Sequence, residues 1–482
     1  MSSQAQKFYI TTPIYYVNDK PHIGHAYTTV AADILARWHR QKGERVFFLT
    51  GTDEHGVKVA QAAQSTGKSA QEFCDGKAAE FIKAWQLLNI KYDNFIRTTD
   101  PAHKDAVQKT VQILYDKGLI YKGEYEGFYC QGCEQYKLAD DLIEGKCPDH
   151  QTTPEFMKEE SYFFRLSKYQ AVLKEKILAE EIKIEPLARR NEVISFIDSG
   201  LKDISISRKS VKWGIPLPFD NEQTTYVWID AFLNYLTGLG WNGEESSPLS
   251  KGGARGDFWP PDTQLMAKDI LRVHATIWTS LLLALDLPLP KKIFVHGFFT
   301  IAGQKMSKSL GNVIWPEDLV KKFGADASRY LLMSVTPFGQ DGDISWEKMT
   351  EKYNGDLANG LGNLVSRVFN LIENNFEGKI KVDEGVNLDV EEQMQELKLY
   401  EALQKIKEKT DWANQYIEET KLWELVKKDK TQAQKALADL LGVIIKVGER
   451  LEPFMPEVSA RLLAQARAEQ IVKGEALFPR LV

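Results

Sequence analysis

The spacing of apolar residues over the first 50 positions predicts a strand, a helix and a second strand. Residues 8–16 (FYITTPIYY) are rich in β-branched and aromatic side chains, which favours a buried strand. Apolar residues then recur on one face of a helix that begins near His25 and that Gly43 ends. Residues 45–51 (RVFFLTG) supply the next strand. This order is typical of a doubly wound, Rossmann-type nucleotide-binding half.

The same alternation resumes after residue 220. Strands are predicted at 224–230, 265–269 and 291–301, with the helix AFLNYL after the first and a helix through His274 and Trp278 after the second. Strand signals then end, and amphipathic segments predict a helical bundle at 357–376, 391–418, 431–451 and 456–470. The predicted fold class is therefore α/β, with a doubly wound parallel-sheet domain, an insertion and an all-α C-terminal bundle.

The amino-acid composition excludes several classes of protein. With 43% hydrophobic and 27% charged residues, the chain is typical of globular proteins rather than disordered or fibrous ones. No apolar run approaches the roughly 20 residues of a membrane helix, and MSSQAQKFYI does not resemble a signal peptide. We therefore expect a cytoplasmic protein with no membrane partner. The net charge is −6, and residues 356–482 carry 18 Lys/Arg against 22 Asp/Glu, so bulk charge does not indicate a nucleic-acid partner.

The turn between the first predicted strand and helix carries the motif PHIGH, residues 21–25. Gly24 lets a nucleotide approach the backbone, and the N-terminus of a helix favours phosphate. The imidazoles of His22 and His25 can donate hydrogen bonds near an α-phosphate. We interpret the motif as part of an ATP site; taken alone, it could also be a turn with two surface histidines.

A second motif, KMSKS, occupies residues 305–309. Lys305 and Lys308 lie on a loop between Gly303 and Gly311, so both could swing onto a triphosphate and neutralise charge on departing pyrophosphate. A solvated basic loop is the alternative for this motif alone. The presence of both motifs, in this order and each in an α/β context, favours a shared role in ATP chemistry.

Three of the four cysteines form a metal-ligand pattern. Cys130-x-x-Cys133 and Cys147-x-x-His150 offer three thiolates and one imidazole that can converge tetrahedrally. The spacing predicts one closed, structural Zn²⁺ and disfavours reduced bystander cysteines or a disulfide. Cys74, in a helical stretch, is predicted to be a buried free thiol.

HIGH and KMSKS stand intact here, and with them the chain resembles the class I aminoacyl-tRNA synthetases. It is more closely similar to the bacterial and organellar methionyl-tRNA synthetases in TTPIYYVNDKPHIGHAYTTVAAD, FLTGTDEHG, YVWIDAFLNY, AKDILRVHATIW and KMSKSLGNVIWPEDL. The similarity spans about residues 8–470. It implies a methionine–tRNA ligase that forms methionyl-adenylate from L-methionine and ATP, releases pyrophosphate, and charges initiator and elongator tRNA(Met), with Mg²⁺ on the ATP.

The resemblance also implies the site residues. Catalysis would rest on His22, Gly24, His25, Lys305 and Lys308. ATP binding would use His22, Gly24, His25, Asp269 and Lys308, with Lys268 and Arg208 close to the active site. The methionine pocket would contain Ile14, Tyr16, Asp53, Trp228, Ala231, Phe232, Tyr235, Ile270 and His274.

Apolar and aromatic walls suit a flexible thioether, and a carboxylate such as Asp53 suits the substrate ammonium. Without the resemblance, Trp228 and Tyr235 would be interpreted as core residues and Asp53 as a helix cap. Phe232 stands where some relatives of the resembled family carry proline.

The resemblance assigns anticodon binding to Asn363 and Arg367, one helical turn apart, and to Trp423 as a stacking ring. A solvated polar pair and a core tryptophan are the alternatives. The resemblance further implies five segments: a Rossmann-type catalytic domain at 1–117 and 221–300, a connective insertion with the zinc knuckle at 118–220, the KMSKS loop and stem-contact region at 301–355, and the helical anticodon-binding domain at 356–482. We expect a monomer.

Two other functions remain open from sequence. Another class I synthetase is one, although leucine, isoleucine and valine enzymes would need a larger editing insertion than 118–220, and a cysteine enzyme would carry metal ligands beside the first signature. A catalytically inactive tRNA-binding or scaffold protein is the other. Intact His22, His25, Lys305 and Lys308 favour an active enzyme.

Overall fold

The computed structural model describes residues 6–130, 135–137, 142–148, 151–244, 255–306, 311–382 and 385–481. The strands are β1 (Lys7–Thr11), β2 (Tyr15–Tyr16), β3 (Arg45–Asp53), β4 (Asn94–Arg97), β5 (Ile120–Cys130), β6 (Gln135–Lys137), β7 (Glu155–Phe164), β8 (Lys183–Glu185), β9 (Ile204–Ser205), β10 (Ser207–Arg208), β11 (Pro216–Leu217), β12 (Asp220–Thr225), β13 (Thr263–Ala267), β14 (Lys292–His296), β15 (Phe299–Ile301), β16 (Gln304–Lys305) and β17 (Gly342–Ile344).

The α-helices are α1 (Ile23–Gln41), α2 (Val57–Ser65), α3 (Ala70–Leu87), α4 (Pro101–Asp116), α5 (Gln170–Leu178), α6 (Leu187–Asp198), α7 (Val227–Phe232), α8 (Asn234–Thr237), α9 (Leu271–Val273), α10 (Thr279–Ala284), α11 (Pro316–Phe323), α12 (Ala325–Met333), α13 (Trp346–Lys352), α14 (Asn363–Phe376), α15 (Glu391–Gln395), α16 (Leu399–Glu419), α17 (Leu422–Lys428), α18 (Lys430–Leu451) and α19 (Pro456–Ala466). Two π-helical segments, His274–Trp278 and Tyr353–Gly362, adjoin them. Among the described residues, no helix is both long and apolar enough to cross a membrane.

The chain divides into two compact units, and the first holds the main sheet. Unit 1 comprises Met1–Lys20, Val46–Lys83 and Tyr92–Val295. Its seven-stranded sheet has the order β2-β3-β1-β13-β14-β8, and β4 also pairs with β3. The pairings of β1 with β13, of β3 with β2 and β4, and of β14 with β8 are all parallel. The predicted α/β class with a parallel sheet is therefore confirmed.

The core of unit 1 follows from the composition of these strands. Ile10 in β1, Leu265 and Met266 in β13, and Ile293 and Val295 in β14 are all fully buried. Near-continuous apolar runs of this kind are characteristic of parallel strands covered on both faces. Two antiparallel sheets complete the unit: β6-β5-β7-β9 and β10-β12-β11.

Unit 2 comprises Pro21–Arg45, Ala84–Lys91 and His296–Val482. It contains α1, the small sheet β16-β15-β17 and the helices from α11 onward, in which α14, α16, α18 and α19 pack on one another. These helices confirm the predicted all-α C-terminal region. The division into five segments stays a prediction.

One buried arginine links distant parts of unit 2. The guanidinium of Arg329 lies 2.7 Å from the carboxylate of Asp33 in α1, and both side chains are fully buried. Its N–H groups also donate to the backbone carbonyls of Leu88, Pro453 and Phe454 at 2.8–3.1 Å. Removing one partner of such a pair leaves an uncompensated buried charge, at a cost of about 3–5 kcal/mol.

Two predicted strands were wrong in extent. The segment 8–16 forms two strands rather than one, because Pro13 between β1 and β2 has no N–H to donate to a ladder. The segment 291–301 divides at Gly297, where a Cβ would clash with the backbone of Gln340 and Asp341. Its two halves, β14 and β15, belong to different sheets.

The predicted strand 224–230 was also wrong beyond Thr225. Tyr226 instead caps α7, where its carbonyl accepts hydrogen bonds from the N–H groups of Ile229 and Asp230. In the C-terminal region, the segment predicted as one helix at 391–418 forms α15 and α16, since the chain between them takes a positive φ at Leu397. The short helix α17 was not predicted.

Candidate active site

The HIGH motif forms the N-terminal turn of α1, two residues earlier than predicted. The N–H of Gly24 donates to Nδ1 of His22 at 3.0 Å, and the N–H of His22 donates to Nδ1 of His25 at 3.1 Å. These reciprocal bonds cap the helix, which explains why it starts at Ile23. Because both Nδ1 atoms accept, a neutral ring carries its proton on Nε2.

The two imidazoles stack with their centroids 3.8 Å apart. Burial, with the neighbouring His22 ring as a smaller cause, holds the pKa of His25 well below its usual range. His25 is therefore neutral at pH 7 and can act as a hydrogen-bond donor through Nε2. A Cβ at Gly24 would lie 2.8 Å from Cε1 of His22, so any side chain there would displace the cap.

Part of the KMSKS motif lies outside the described residues. Its Lys308 belongs to the segment 307–310, and the side chain of Lys305 is likewise not described. The backbone of Lys305 pairs with Thr300 in the β15–β16 hairpin. Within unit 2, the methyl of Met306 lies 3.8 Å from the position that a Cβ of Gly24 would occupy, so the start of this motif reaches the HIGH turn.

A buried histidine supports the HIGH helix from the side. His296 Nδ1 donates to the carbonyl of Gly297 at 2.8 Å, which leaves Nε2 to accept the hydroxyl of Thr28 at 2.7 Å. Burial lowers the pKa of His296 to about 4, so the ring is neutral. Tyr27 packs edge-on against the same ring. Sequence inspection missed this contact, because neither residue belongs to a signature.

Four of the predicted methionine-pocket residues lie around His274 in unit 1: Trp228, Phe232, Tyr235 and Ile270. The hydroxyl of Tyr235 lies 2.9 Å from Nε2 of His274, and Nδ1 of the same ring lies 2.8 Å from the carbonyl of Ile270. A carbonyl only accepts, so Nδ1 carries the proton and Tyr235 donates to Nε2. Burial lowers the pKa of His274 to about 4 and raises that of Tyr235, so both groups are neutral.

Aromatic rings surround this imidazole. Phe232 and Trp228 approach it edge-on, with ring centroids 4.9 and 6.4 Å away. Trp278 stacks on Phe232 and packs against Tyr235. A half-buried Trp228 beside buried rings gives an apolar, polarisable wall of the kind that suits a thioether. Phe232 is part of this cluster.

The remaining pocket candidates lie on other elements of unit 1. Tyr16 in β2 pairs directly with Asp53 at the end of β3, and the N–H of Val17 donates to the carbonyl of Asp53 at 3.2 Å. Parallel pairing therefore places the aromatic ring and the carboxylate on neighbouring strand ends. Ala231 is buried in α7, and Ile14 packs against the main core.

Asp269, with Lys268, lies in the turn that joins β13 to the His274 helix. Its side chain is exposed, as a ligand to a ribose would require. Arg208 ends β10 and is buried, with its guanidinium 4.3 Å from the ring of Tyr226.

The anticodon candidates lie together on the helices of unit 2. Asn363 and Arg367 are one turn apart on α14, and the guanidinium of Arg367 sits 5.6 Å from the ring of Trp423 in α17. Arg367 also pairs with Glu418 at 2.6 Å. Trp423 is 39% exposed, so it is not a core residue, and the alternative interpretation of this tryptophan was wrong.

Comparison with known proteins places the chain in a family. The model for tRNA synthetases class I (M) matches residues 8–153 and 149–369. Methionine–tRNA ligase of Caldanaerobacter subterraneus subsp. tengcongensis is 44% identical, over 98% of this chain and 79% of its own length. The methionine–tRNA ligase of Streptomyces coelicolor is 41% identical, over 99% of this chain and 97% of its own length. The chain belongs to the methionine–tRNA ligases.

Solved structures of the family agree with the fold. Mycobacterium tuberculosis methionyl-tRNA synthetase in complex with methionyl-adenylate superposes with a TM-score of 0.91 at 34% identity, over 98% of this chain and all of that one. The apo form of the same enzyme superposes with a TM-score of 0.82 at 31% identity, over 100% of this chain and 99% of that one.

The cysteine motif of this family member is described only in part. Cys130 ends β5 and Cys147 follows a short turn; both are buried thiols outside any disulfide. Cys133 and His150 lie outside the described residues. Among the remaining positions, no group of three or more His, Cys, Asp or Glu side chains is arranged to hold a metal. Cys74 is a buried free thiol, as predicted.

Two buried networks beside the pocket were missed by sequence inspection. Glu54 is fully buried and accepts two hydrogen bonds from Arg97 at 2.8 and 2.9 Å. Asp230 bridges His55 and His103 at 2.7 and 2.8 Å, and these imidazoles outweigh burial and lower its pKa. The motif GTDEHG contains Glu54 and His55, but nothing in it indicates their distant partners.

Proposed function

We propose that this chain is a methionine–tRNA ligase, which forms methionyl-adenylate from L-methionine and ATP and then charges tRNA(Met). The observation that carries the proposal is the neutral Tyr235–His274 pair inside a cluster of aromatic rings, in a chain that belongs to the family along nearly its whole length. An uncharged polar pair in an apolar pocket can accommodate a thioether while rejecting hydrophobes that fill the space differently.

Activation needs no nucleophile from the protein. The carboxylate of methionine attacks the α-phosphorus of ATP. The bond between the α-phosphorus and the oxygen that bridges to the β-phosphate breaks, and pyrophosphate leaves. We assign Asp53 to the substrate ammonium and Ile14, Tyr16, Trp228, Ala231, Phe232 and Ile270 to the pocket walls. Asp269 would hold the ribose of ATP. His22 and His25 would donate from Nε2 to phosphate at the N-terminus of α1, where the helix dipole also favours an anion.

Lys305 and Lys308 would neutralise the charge that develops on pyrophosphate, and Mg²⁺ bound to ATP would add to this. In the transfer step, a ribose hydroxyl at the 3′ end of tRNA attacks the methionyl carbonyl. An ester bond forms, the acyl–phosphate bond breaks, and the hydroxyl proton leaves with AMP or solvent. Because the product serves initiation and elongation, we place the enzyme in the cytoplasm. We also expect it to act as a monomer.

Recognition of the anticodon is assigned to Asn363, Arg367 and Trp423. A half-exposed tryptophan beside a guanidinium can stack on an unpaired base. One structural Zn²⁺ is assigned to Cys130, Cys133, Cys147 and His150. The chemistry of this donor set fits Zn²⁺, and the two described thiols are buried as ligands would be. The zinc would hold the end of the β5–β7 hairpin and take no part in catalysis.

Amino-acid-dependent ATP–pyrophosphate exchange tests the proposal directly. The purified chain is assayed with each of the common amino acids and with homocysteine and norleucine. Exchange should be fastest with methionine. Faster exchange with leucine, isoleucine, valine or cysteine would assign the chain to another class I specificity, and absence of exchange with every amino acid would favour an inactive tRNA-binding protein.

A further inference from the structure

The groups proposed to bind the two ends of methionine lie on elements of unit 1 that are far apart in the chain. Asp53, assigned to the ammonium, ends β3, whereas Trp228 and Phe232 of the aromatic wall lie on α7. A ligand that engages both groups binds well only when the distance between them is fixed. A contact between the end of β3 and α7 would fix this distance.

Such a contact joins His55 to Asp230. His55 follows Asp53 by two residues, and Asp230 lies on α7 between Trp228 and Phe232. Nδ1 of His55 lies 2.7 Å from Oδ2 of Asp230, across 175 positions of the chain. Both side chains are buried, so water does not compete for this hydrogen bond.

A second histidine immobilises the carboxylate of Asp230. Nε2 of His103 in α4 lies 2.8 Å from Oδ1 of Asp230, and Nδ1 of the same ring lies 2.8 Å from the hydroxyl of Thr237. Burial alone would raise the pKa of Asp230, but the two imidazoles hold it below its usual range. The carboxylate is therefore charged, and each of its oxygens accepts from one imidazole.

The chain on either side of His55 has anchors of its own. The indole N–H of Trp213 donates to the carbonyl of Glu54 at 2.6 Å, and the N–H of Gly56 donates to the carbonyl of Trp213 at 3.1 Å. The ring of Trp213 also packs 5.4 Å from that of His55. A substitution at His55 should therefore remove the contact with α7 without releasing the whole segment 54–56.

We propose that His55 and Asp230 are positioning residues for the activation of methionine, an inference that rests on the proposed function. Their hydrogen bond sets the distance between the carboxylate of Asp53 and the aromatic wall on α7. His55 acts through Asp53, and Asp230 acts through the residues beside it on α7. The pair thereby favours ligands in which an ammonium and a thioether are as far apart as they are in methionine.

A matched pair of variants at His55 isolates the hydrogen bond. In His55→Asn the amide nitrogen takes the place of Nδ1 and can still donate to Asp230, whereas His55→Leu has a similar branched shape without a donor. Both variants lose the rest of the ring, so they share its cavity and the lost packing against Trp213. In the exchange assay, His55→Leu should raise KM for methionine about tenfold, and His55→Asn should stay within about threefold of the parent. KM for ATP should stay within about twofold in both variants.

Two competitors of methionine distinguish positioning from a general loss of structure. Methioninol carries both the ammonium and the thioether, whereas 4-(methylthio)butanoate lacks the ammonium. His55→Leu should weaken inhibition by methioninol about tenfold and leave inhibition by 4-(methylthio)butanoate within about twofold of the parent. Asp230→Asn keeps the shape of the side chain but replaces one acceptor with a donor, and it should act in the same direction. If His55→Leu does not fold, Asp230→Asn provides the same test with both competitors.

Several results would overturn the inference. Equal weakening of both competitors would show that the pair only supports the aromatic wall. A parental KM for methionine in both His55→Leu and Asp230→Asn would show that their hydrogen bond does not set the distance. Equal impairment of His55→Asn and His55→Leu would show that the bulk of the ring matters rather than its Nδ1 donor. Absence of methionine-dependent exchange in the parent chain would instead refute the proposed function, which is a distinct outcome.

Discussion

The hydroxyl of Tyr235 can be removed with almost no change in packing. In Tyr235→Phe the ring keeps its contact with Trp278 at 5.4 Å between centroids, but Nε2 of His274 loses its donor at 2.9 Å. The imidazole is then held only through Nδ1 and the carbonyl of Ile270. An acceptor left without its hydrogen bond at a site that is 2% exposed should destabilise the pocket.

The expected magnitude follows from this geometry. Leaving a buried acceptor unsatisfied costs about 1–3 kcal/mol. Water cannot readily reach Nε2, so the imidazole should reorient, and methionine should lose the polar contact that the pair provides. We expect KM for methionine to rise about tenfold, which corresponds to about 1.4 kcal/mol. KM for ATP should stay within about twofold.

Tyr9→Phe is a matched control in the same core. The hydroxyl of Tyr9 donates to the backbone carbonyl of Tyr235 at 2.8 Å, so this variant also removes one buried tyrosine hydroxyl but spares His274. Thermal unfolding should show similar losses of stability in the two variants, whereas exchange kinetics should show a raised methionine KM only in Tyr235→Phe. Equal KM values in the two variants would refute the assigned role of the Tyr235–His274 pair.

Four further predictions address the other sites. Trp423→Ala should raise KM for tRNA about tenfold by loss of base stacking and leave pyrophosphate exchange intact. Trp412→Ala, at another exposed tryptophan, is the control and should change neither quantity. Equal loss of tRNA charging and pyrophosphate exchange in Trp423→Ala would indicate a folding defect. Lys308→Ala should slow exchange about a hundredfold without altering equilibrium methionine binding, and unchanged exchange would contradict its role at pyrophosphate. The pKa of His296 is lowered to about 4 in the folded chain, so as pH falls below 6.5 the imidazole is protonated in the unfolded chain before it is protonated in the folded one. This group should therefore lower the free energy of unfolding by about 2 kcal/mol by pH 5. In a chemical-denaturation series, the free energy of unfolding of His296→Gln should depend less steeply on pH than that of the parent. Metal analysis of the dialysed parent should find about one zinc per chain, and Cys147→Ser should hold far less; a parent without zinc would refute the knuckle.

Four strands of the main sheet could be predicted from sequence, but their extents and their order within the sheet could not. The apolar runs that became β1, β3, β13 and β14 are visible in the printed sequence. Their ends depend on distant backbone: the division at Gly297 exists because residues 340–341 pass against it. Periodicity carries no information about such an approach.

The candidate active site could likewise be predicted from sequence only in part. The signatures and pocket residues could be named from resemblance, and Tyr16 with Asp53, and Tyr235 with His274, are indeed neighbours. The tautomers and charge states of the histidines could not be predicted from the sequence. They depend on which carbonyl or hydroxyl faces each ring, as for Nδ1 of His274 and the carbonyl of Ile270.

The sequence alone determined the fold class, the family and the residues of the HIGH turn, because local motifs and apolar periodicity are properties of neighbouring residues, and it named the residues of the proposed methionine pocket. Only the tertiary structure decided that His25, His274 and His296 are neutral and that Asp230 bridges two histidines. These properties arise from burial and from partners up to 268 positions apart in the chain, and neither is encoded in local spacing.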